Sequence, residues 1–360
     1  METSSLMRFH QRGHHVPAKT TAKDVAAAAG VSTATVDRVL NNRGGVAPEK
    51  ERLVLEWARK LRLDRAMDQR ASRTLRIAVA IQPPDNPFHA ALQEAFNAAY
   101  RLYPQFNMQF RVHHISARSG KETARLISNA ADDHDGIVII APQDDDVIAS
   151  LRKFQAVGKP ILTLATDIGG LSGHRYVGPD NRQAGRVAGD IMGRLLGKEG
   201  GRIIVVVGML SMTGHAEREH GFRAVLKERY PNCHALPPIE SFEIAERAGD
   251  MVFDLLRRDA GIRGIYNASA GVESVAAAMR ALGRAETIFV THELTEARQR
   301  LVKEGLIDVI IDQNPHLEAQ ICIATIASHF GRHQGSIPDA ATGLRICMME
   351  NCEMSRFSEL

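Results

Sequence analysis

Long apolar runs are missing from this sequence of 360 residues. No stretch approaches the roughly 20 apolar residues that a bilayer-spanning helix needs, so we predict a chain that does not cross a membrane. The first residues, METSSLMRFHQRGHHVPAK, also lack the apolar centre of a secretory signal. We therefore expect a cytoplasmic protein.

Cysteine is scarce as well. The sequence has four cysteines, none of them in a C-x-x-C pair: Cys233, Cys322, Cys347 and Cys352. Such scattered thiols indicate neither a disulfide framework nor a zinc site, although Cys347 and Cys352 lie close together in the sequence. We expect reduced thiols, no metal and no other cofactor.

Catalytic signatures are also absent. The sequence has no G-x-x-x-x-G-K-[ST] loop, no G-x-G-x-x-G after a strand and no G-x-S-x-G elbow. The run from His292 to Glu296 begins like the zinc-protease motif H-E-x-x-H, but its second histidine is missing. We therefore expect a protein that is not an enzyme.

The net charge of +3 is unevenly distributed. Residues 1–76 hold 15 Lys and Arg against 8 Asp and Glu, whereas the rest of the chain holds 30 against 34. A basic N-terminal part on an acidic body indicates a polyanionic partner for the first part and not for the second.

Three short helices are predicted in residues 20–63. Thr21 begins a capping-box-like start, and Gly30 supplies the positive φ that ends the first helix. Ser32 is placed to cap a second helix, and Pro48 opens a third. The apolar residues expected in their shared core are Val36, Val39, Leu40, Leu53, Val54, Trp57 and Leu61. Two helices joined by a glycine turn, with a third behind them, are typical of a helix-turn-helix DNA-binding domain.

From residue 75 onward, apolar strands alternate with amphipathic helices. The predicted strands are 75–81, 108–114, 135–140, 160–165, 202–208, 264–268, 287–292 and 308–312. The predicted helices are 88–103, 119–133, 144–157, 181–196, 215–230, 243–259, 271–283, 295–305 and 314–330. This alternation indicates doubly wound parallel sheets. Because about 285 residues are too many for one sheet, we predict two α/β lobes with a cleft between them.

Residues 21–46, TAKDVAAAAGVSTATVDRVLNNRGGV, closely resemble the headpiece signature of the LacI/GalR family of transcription regulators. A recognition helix lays its N-terminal end in the major groove, so its base-reading side chains come early and on the outer face. The expected base-reading residues are Thr33, Ala34 and Arg38, and the expected phosphate contacts are Ser32, Thr35 and Asn41. Arg38 has the geometry to donate two hydrogen bonds to guanine O6 and N7.

Two positions depart from the family pattern. Asp37 stands where a serine is usual near the DNA backbone, so its carboxylate should pair with Arg38 or Arg43. The polar hinge linker 64–74 lacks the leucine that the family inserts into the minor groove. Met67 is the expected wedge there, and the alternative is binding through the linker arginines.

From Leu75 the chain resembles the family's periplasmic-binding-protein-like effector domain, of the ribose-binding type. Such a domain takes a small sugar, polyol or derivative, with polar side chains for hydroxyl groups and aromatic rings for C–H faces. The expected ligand residues are Asn86, Phe88, His89, Asp167, Arg218, Phe242, Asn267, Glu293 and Gln313. The expected divisions are a disordered basic arm at 1–19, the headpiece at 20–63, the hinge at 64–74 and the effector domain at 75–360, with an N-lobe at about 75–177 and 312–334 and a C-lobe at about 178–311 and 335–360.

Simpler roles remain open for several of these residues. Arg218 could bridge to Glu217 or Glu219 along its helix, and the two phenylalanines could be ordinary core. Asn86 and Asn267 could cap helices or shape loops.

The sequence thus predicts a small all-α headpiece followed by an α/β two-lobed domain, forming a homodimeric repressor or dual regulator controlled by a sugar-like effector. The alternatives are a cytoplasmic sugar-binding or sugar-modifying protein with an accessory DNA-binding module, and an architectural headpiece with weak sequence preference. The sign of regulation and a tetrameric state stay open.

Overall fold

The computed structural model describes residues 20–41, 43, 45–61, 63, 73–116, 118–333, 335–337 and 339–353. The predicted arm at 1–19 and most of the linker, including Met67, lie outside these residues. The chain divides into two compact units, one ending at Arg73 and the other beginning at Thr74. In the described part of the chain, no helix combines the length and the apolar character needed to span a membrane.

The N-terminal unit contains three helices, α1 (Ala22–Ala29), α2 (Thr33–Leu40) and α3 (Pro48–Lys60). The N–H of Thr21 donates to Asp24 Oδ2 at 2.8 Å, and this capping box starts α1. Gly30 ends α1 in the left-handed region at φ 65°, a conformation that a side chain with a Cβ resists. The predicted three-helix arrangement therefore follows from local signals.

The core of this unit is small and aliphatic. Its fully buried members are Val25, Ala26, Ala29, Val36, Val39, Val54, Leu55, Ala58 and Leu63. The sequence predicted that α3 buries Leu53, Trp57 and Leu61. In the structure these side chains contact the core but are only partly buried. Val54, Leu55 and Ala58 define the inward face, so α3 is rotated slightly from the predicted phase.

The first part of the larger unit forms a five-stranded parallel sheet. Its elements are β1 (Leu75–Ile81), α4 (Pro87–Leu102), β2 (Met108–His114), α5 (Gly120–Asp133), β3 (Gly136–Ile139), α6 (Asp145–Ala156), β4 (Ile161–Leu164) and β5 (Arg175–Val177). The strand order is β2-β1-β3-β4-β5, with Leu75 opposite Met108 and Ile77 opposite Gly136. Apolar clusters cover both faces of the sheet, as expected for buried parallel strands.

The second part forms a seven-stranded sheet. Its elements are α7 (Asn181–Leu196), β6 (Gly201–Val207), α8 (Thr213–Arg229), β7 (Cys233–Ala235), β8 (Ile239–Glu240), α9 (Ala245–Arg258), β9 (Ile262–Asn267), α10 (Val272–Ala281), β10 (Ile288–His292), α11 (Glu296–Lys303), β11 (Val309–Asp312), α12 (Pro315–His329) and β12 (Arg345–Cys347). The order is β12-β11-β10-β9-β6-β7, β8 pairs with β6, and β12 runs antiparallel to β11.

The chain passes between the two lobes after β5, after β11 and after α12. Helix α12 follows the second sheet, yet its Ala319, Ile321 and Cys322 pack in the core of the first. Two of the crossing segments lie side by side, because the Gly178 N–H donates to the Ala340 carbonyl oxygen at 3.0 Å.

The short strands β5, β7, β8 and β12 were not predicted from the sequence. Each has two or three residues, which is too few for an apolar alternation to be visible. The four cysteines are all buried and free, and Cys347 and Cys352 lie in one apolar cluster of the second lobe.

Candidate functional site

Helix α2 presents an accessible N-terminal end. Ser32 is its N-cap, and the Ser32 Oγ accepts a hydrogen bond of 3.1 Å from the N–H of Thr35. This bond satisfies one of the donors that a helix start leaves open. Ser32, Thr33, Ala34 and Arg38 are exposed, and Thr35 is half-buried. The side chains predicted to read bases are therefore open to a partner.

The unusual Asp37 is fully engaged by its neighbours. Its Oδ2 accepts from Arg43 Nη1 at 3.0 Å, and its Oδ1 accepts from Asn41 Nδ2 at 2.6 Å. Arg43, and not Arg38, is therefore the arginine that pairs with Asp37. None of the described residues forms a hydrogen bond or an ion pair with the Arg38 guanidinium, so that side chain is available for a base.

The cavity of the larger unit lies where strands of both sheets end. Strand order reverses beside β1 in the first sheet and beside β6 in the second, and ligands bind outside the carboxyl ends of strands at such points. Residues that directly follow β1, β3, β4, β9, β10 and β11 line the cavity. Its free volume is about 60 Å³.

The structure brings six of the nine predicted ligand residues to this cavity. They are Asn86, Phe88, His89, Arg218, Glu293 and Gln313. Asn86 also caps α4, since its Oδ1 accepts from the Phe88 N–H at 3.0 Å. Phe88 belongs to the core of the first lobe while one side of it lines the cavity. Both residues thus have a structural role and also line the cavity.

The other three predicted ligand residues do not line the cavity. The Asp167 Oδ1 accepts from Thr163 Oγ1 at 2.7 Å and contacts His174 Nε2 at 2.8 Å. Phe242 packs against the first-lobe core, with the Arg247 guanidinium 5.0 Å from its ring centre. Asn267 closes its own loop instead: its Oδ1 accepts from the Ser269 N–H at 2.9 Å.

Arg218 is one of two buried arginines that line the cavity, and it does not bridge to Glu217 or Glu219. Its Nε donates to Asn181 Oδ1 at 2.7 Å, its Nη1 to the Ala268 carbonyl at 3.4 Å and its Nη2 to Gln313 Oε1 at 3.1 Å. All three acceptors are neutral, and a guanidinium has five N–H groups, so two remain to donate elsewhere.

A close helix–helix contact sets the position of Arg218. Helix α8, which carries Arg218, packs on α7 along a stripe formed by Gly185, Gly189 and Gly193. A Cβ at Gly185 would overlap the carbonyl oxygen of Arg218. Only glycine allows this approach, so the sequence of α7 controls where the guanidinium lies.

Four buried polar atoms at the cavity have no hydrogen-bond partner among the described residues. They are His89 Nδ1, Glu243 Oε1, His292 Nδ1 and Glu293 Oε2. The other oxygen of each carboxyl group is bound, Glu243 Oε2 by Asn86 Nδ2 and Glu293 Oε1 by Gln313 Nε2. Since an unsatisfied buried polar group costs about 1–3 kcal/mol, such groups are rare in folded proteins. Further atoms of this kind lie elsewhere in the larger unit, but these four belong to residues that line the same cavity and give it a polar character.

Burial keeps the cavity histidines neutral. It lowers the pKa of His89 to about 3 and that of His215 to about 4. The pKa of His292 is also far below its ordinary value, chiefly because of burial. Neutral imidazoles offer both a donor and an acceptor, which suits hydroxyl groups.

Burial acts in the opposite direction on the acids. It raises the pKa of Glu293 from 4.5 to about 7, although the nearby Arg218 guanidinium partly opposes the shift. It raises the pKa of Glu243 as well, against the hydrogen bonds from Ala270 and Asn86. Both carboxyl groups therefore bind protons more tightly than they would in water.

Backbone strain is concentrated at the same place. Ala165, Glu243 and Glu293 line the cavity with φ of 57°, 59° and 62°. Phe242 and Asn314, each beside a lining residue, share this left-handed conformation. Residues held there cost on the order of 1–3 kcal/mol each and cluster at functional sites.

Sequence reasoning missed several lining residues. They include Gln82, Thr166, His215, Glu243, Ser269, His292 and Arg298. Gln82, Ser269 and His292 lie at or just beyond the end of a strand, and this position could have identified them as candidate ligand residues. Glu243 could not be identified in this way because β8 is too short to recognise in the sequence. Arg298 is 1% exposed and donates to the His292 carbonyl at 2.7 Å and the Glu293 carbonyl at 3.1 Å.

Comparison with known proteins agrees with this architecture. Residues 21–62 match the family of bacterial regulatory proteins of the lacI type, and residues 77–332 match a periplasmic binding protein domain. The chain is 27% identical to the maltose regulon regulatory protein MalI of Escherichia coli (strain K12), over 69% of this chain and 72% of MalI. It is 27% identical to the HTH-type transcriptional regulator DegA of Bacillus subtilis (strain 168), over 58% of this chain and 61% of DegA.

A solved structure shows the same fold for the larger unit. This is an ABC transporter solute binding protein from Agrobacterium vitis with bound D-fucose, at a TM-score of 0.70 and 18% identity. The alignment covers 77% of this chain and 96% of that protein. The chain therefore belongs, over most of its length, to the family of periplasmic binding protein domains, and its N-terminal segment carries a lacI-type domain of bacterial regulatory proteins.

Proposed function

We propose that the protein is a transcriptional repressor that binds operator DNA through α2 and is controlled by a small sugar, polyol or sugar derivative bound in the cavity. One observation carries the effector assignment: four unpartnered buried polar atoms and the ring of Phe88 converge on one cavity at the strand ends. Hydroxyl-rich ligands need this combination of polar groups and an apolar ring face.

The proposed ligand contacts are the six predicted residues at the cavity together with Glu243 and His292. Arg218 has unused N–H groups for ligand hydroxyls, and Glu293 has an unused oxygen. The names of similar proteins support this class, since MalI is described as a maltose regulon regulator and the Agrobacterium vitis protein holds D-fucose. Both relatives identified by sequence are named as regulators, which favours regulation over catalysis.

The proposed DNA contacts remain those inferred from the sequence. Thr33, Ala34 and Arg38 read bases, while Ser32, Thr35 and Asn41 contact phosphates. Asp37 holds Arg43 and Asn41 in place, which supports a role in orienting the helix end toward the backbone of DNA. Met67 is proposed as the minor-groove wedge.

We further propose a cytoplasmic homodimer with the domain boundaries given by the sequence. Two headpieces related by a two-fold axis would bind the half-sites of a near-palindromic operator. Exposed Tyr100 and Leu102 on α4 support a self-association surface on the first lobe. Effector binding shifts the balance between two lobe arrangements, and it does so only by its difference in affinity for them.

A thermal-shift screen of pentoses, hexoses and polyols against the full chain tests the effector assignment. A ligand at 100 times its Kd stabilises the folded state by about 2.7 kcal/mol, so binding raises the unfolding temperature. The Arg218→Met variant should lose the shift, and Arg229→Met, on the same helix but outside the cavity, should keep it. The proposal fails if no compound stabilises the protein. Adding the active compound to an operator-binding assay then gives the sign of regulation.

A further inference from the structure

The carboxyl groups around the cavity outnumber the cations that could neutralise them. Glu243 and Glu293 line it, and Glu318 is buried nearby at 0% exposure, whereas the neighbouring Asp312 lies opposite Arg345 in the strand register. Arg298 is paired with Glu273, its Nε donating to Glu273 Oε1 at 3.3 Å. Arg218 is then the one cation without a carboxylate partner among the described lining residues. A buried excess of acidic groups is unfavourable unless protons or a bound cation compensate for it.

The carboxyl oxygens without a hydrogen-bond partner show where a proton or a cation would neutralise the negative charge. Glu243 and Glu293 line the cavity, each has one oxygen without a hydrogen-bond partner among the described residues, and both side chains are nine-tenths buried. His215 Nε2 lies 3.6 Å from Glu243 Oε1, but this imidazole is neutral and cannot balance the charge. An ionised carboxylate accepts hydrogen bonds and never donates them, so each oxygen requires a donor.

We propose that the effector carries a protonated amine in addition to its hydroxyl groups, and that this amine binds the carboxylates of Glu243 and Glu293. The inference rests on the proposed function, since it assigns the chemical class of the ligand in the same cavity. An ammonium group has donors and no acceptor, and it brings the positive charge that the acids lack. Hydroxyl oxygens at the other end of the ligand accept hydrogen bonds from the two remaining N–H groups of Arg218.

The same geometry excludes a sugar phosphate. A phosphate carries about two negative charges near neutral pH and would enter a site with a surplus of carboxyl groups. Of the two lining arginines, Arg298 is paired with Glu273, and three N–H groups of Arg218 already donate to Asn181, Ala268 and Gln313. An amino sugar or amino polyol fits the charge of the cavity, whereas a neutral sugar leaves that charge uncompensated.

Charged and polar groups from several elements surround Glu293 and influence the pKa of its carboxyl group. Arg218 comes from α8, Arg298 from α11, Asp312 and Gln313 from the end of β11, and Glu318 from α12. Burial outweighs the two arginines, so the free carboxyl group holds its proton up to about pH 7. Binding of an ammonium ligand releases that proton, so the affinity for an amine that stays protonated over this range, such as N-methyl-D-glucamine, should rise as pH rises through 7.

The experiment is calorimetric titration of the full chain at pH 7.5 with matched pairs that differ only in an amine. The probes are D-glucosamine against D-glucose, D-galactosamine against D-galactose, D-mannosamine against D-mannose, and N-methyl-D-glucamine against D-glucitol. N-acetyl-D-glucosamine controls for size, and D-glucose 6-phosphate controls for charge. We expect the amine of at least one pair to bind about tenfold more tightly than its hydroxyl partner, as charge-assisted hydrogen bonds are the stronger ones.

Variants then locate the effect. Glu293→Gln and Glu243→Gln should each bring the amine-to-hydroxyl ratio close to one, while Glu296→Gln, three residues beyond Glu293 and exposed, should leave it unchanged. Equal or tighter binding of the neutral or phosphorylated compounds overturns this inference and leaves the proposed function standing. Absence of binding across the whole panel overturns this inference, and the thermal-shift screen then decides separately on the proposed function.

Discussion

The surface of α2 and the interlobe cavity differ in how they are assembled. The α2 surface comes from one run of ten residues, 32–41, and most of its proposed contact residues are exposed. The cavity takes its residues from segments that lie up to 231 positions apart, between Gln82 and Gln313, and most of them are buried. Local signals suffice for the first site, whereas the second depends on packing throughout the larger unit.

The position of Trp57 makes this comparison measurable. It is the sole tryptophan of the chain and lies on α3 of the N-terminal unit. Its fluorescence therefore reports the unfolding of the N-terminal unit, while far-ultraviolet circular dichroism is dominated by the larger one. Variants that damage one site should move one of these transitions and leave the other in place.

Gly185→Ala should have the largest effect. Its new Cβ would overlap the Arg218 carbonyl oxygen, so α7 and α8 must separate and the larger unit should lose about 3 kcal/mol of unfolding free energy, the upper end of the range for overpacking. Urea unfolding followed by circular dichroism measures the loss, and the Trp57 transition should not move. Gly343→Ala is the matched control, because nothing lies within 4 Å of a Cβ at that position. Equal stability of both variants would contradict the packing argument.

The stability of the larger unit should depend on the proton of Glu293. The folded-state pKa of about 7 lies above the ordinary 4.5, so the stabilising contribution is complete below pH 4.5 and is lost as pH rises through 7. The loss is on the order of 3 kcal/mol. Glu293→Gln stays neutral and should gain stability relative to the wild type between pH 5 and pH 8.

The difference between the two proteins isolates Glu293 from the cavity histidines. Their depressed pKa values produce the opposite slope at lower pH in wild type and variant alike. Glu296→Gln, which is exposed, should follow the wild type at every pH. A constant difference between wild type and Glu293→Gln over this range would show that Glu293 ionises normally.

Arg38→Ala tests the α2 surface directly. Loss of a bidentate contact to guanine costs roughly 1–3 kcal/mol, so the affinity for an operator selected from a random duplex library should fall about tenfold or more. Affinity for unrelated duplex DNA at the same salt concentration should change much less. Lys60→Ala on α3 is the control, since Lys60 is paired with Glu56 at 2.7 Å. A drop well below tenfold would remove Arg38 from the base-reading set.

Ser32→Ala should have the smallest effect and remain confined to the N-terminal unit. It removes the acceptor for the Thr35 N–H, and loss of an N-cap typically costs about 1 kcal/mol. The Trp57 transition should shift by this amount without DNA, and the circular dichroism transition of the larger unit should stay in place. Thr33→Ala, one residue into the helix, removes a hydroxyl but no cap and should leave stability nearly unchanged.

Much of the secondary structure was predictable because strands such as 75–81 and 108–114 are long enough for their apolar pattern to be visible. The candidate site was less accessible to the same reasoning. Asn86, Arg218 and Gln313 were found because they follow strands or match a motif. Asp167 satisfied the same criteria, but its carboxylate accepts a hydrogen bond from the nearby Thr163 hydroxyl group and does not line the cavity.

The sequence by itself determined the helix starts and ends of the N-terminal unit, the alternation of strands and helices, and the accessible end of α2. Each depends on residues close in the chain, where capping, turn conformation and periodicity act. Only the tertiary structure decided that Glu243, Glu293 and Arg298 line one cavity, and that burial raises the pKa of both acids there. Burial and charge depend on everything that surrounds a side chain, and here those surroundings come from both lobes.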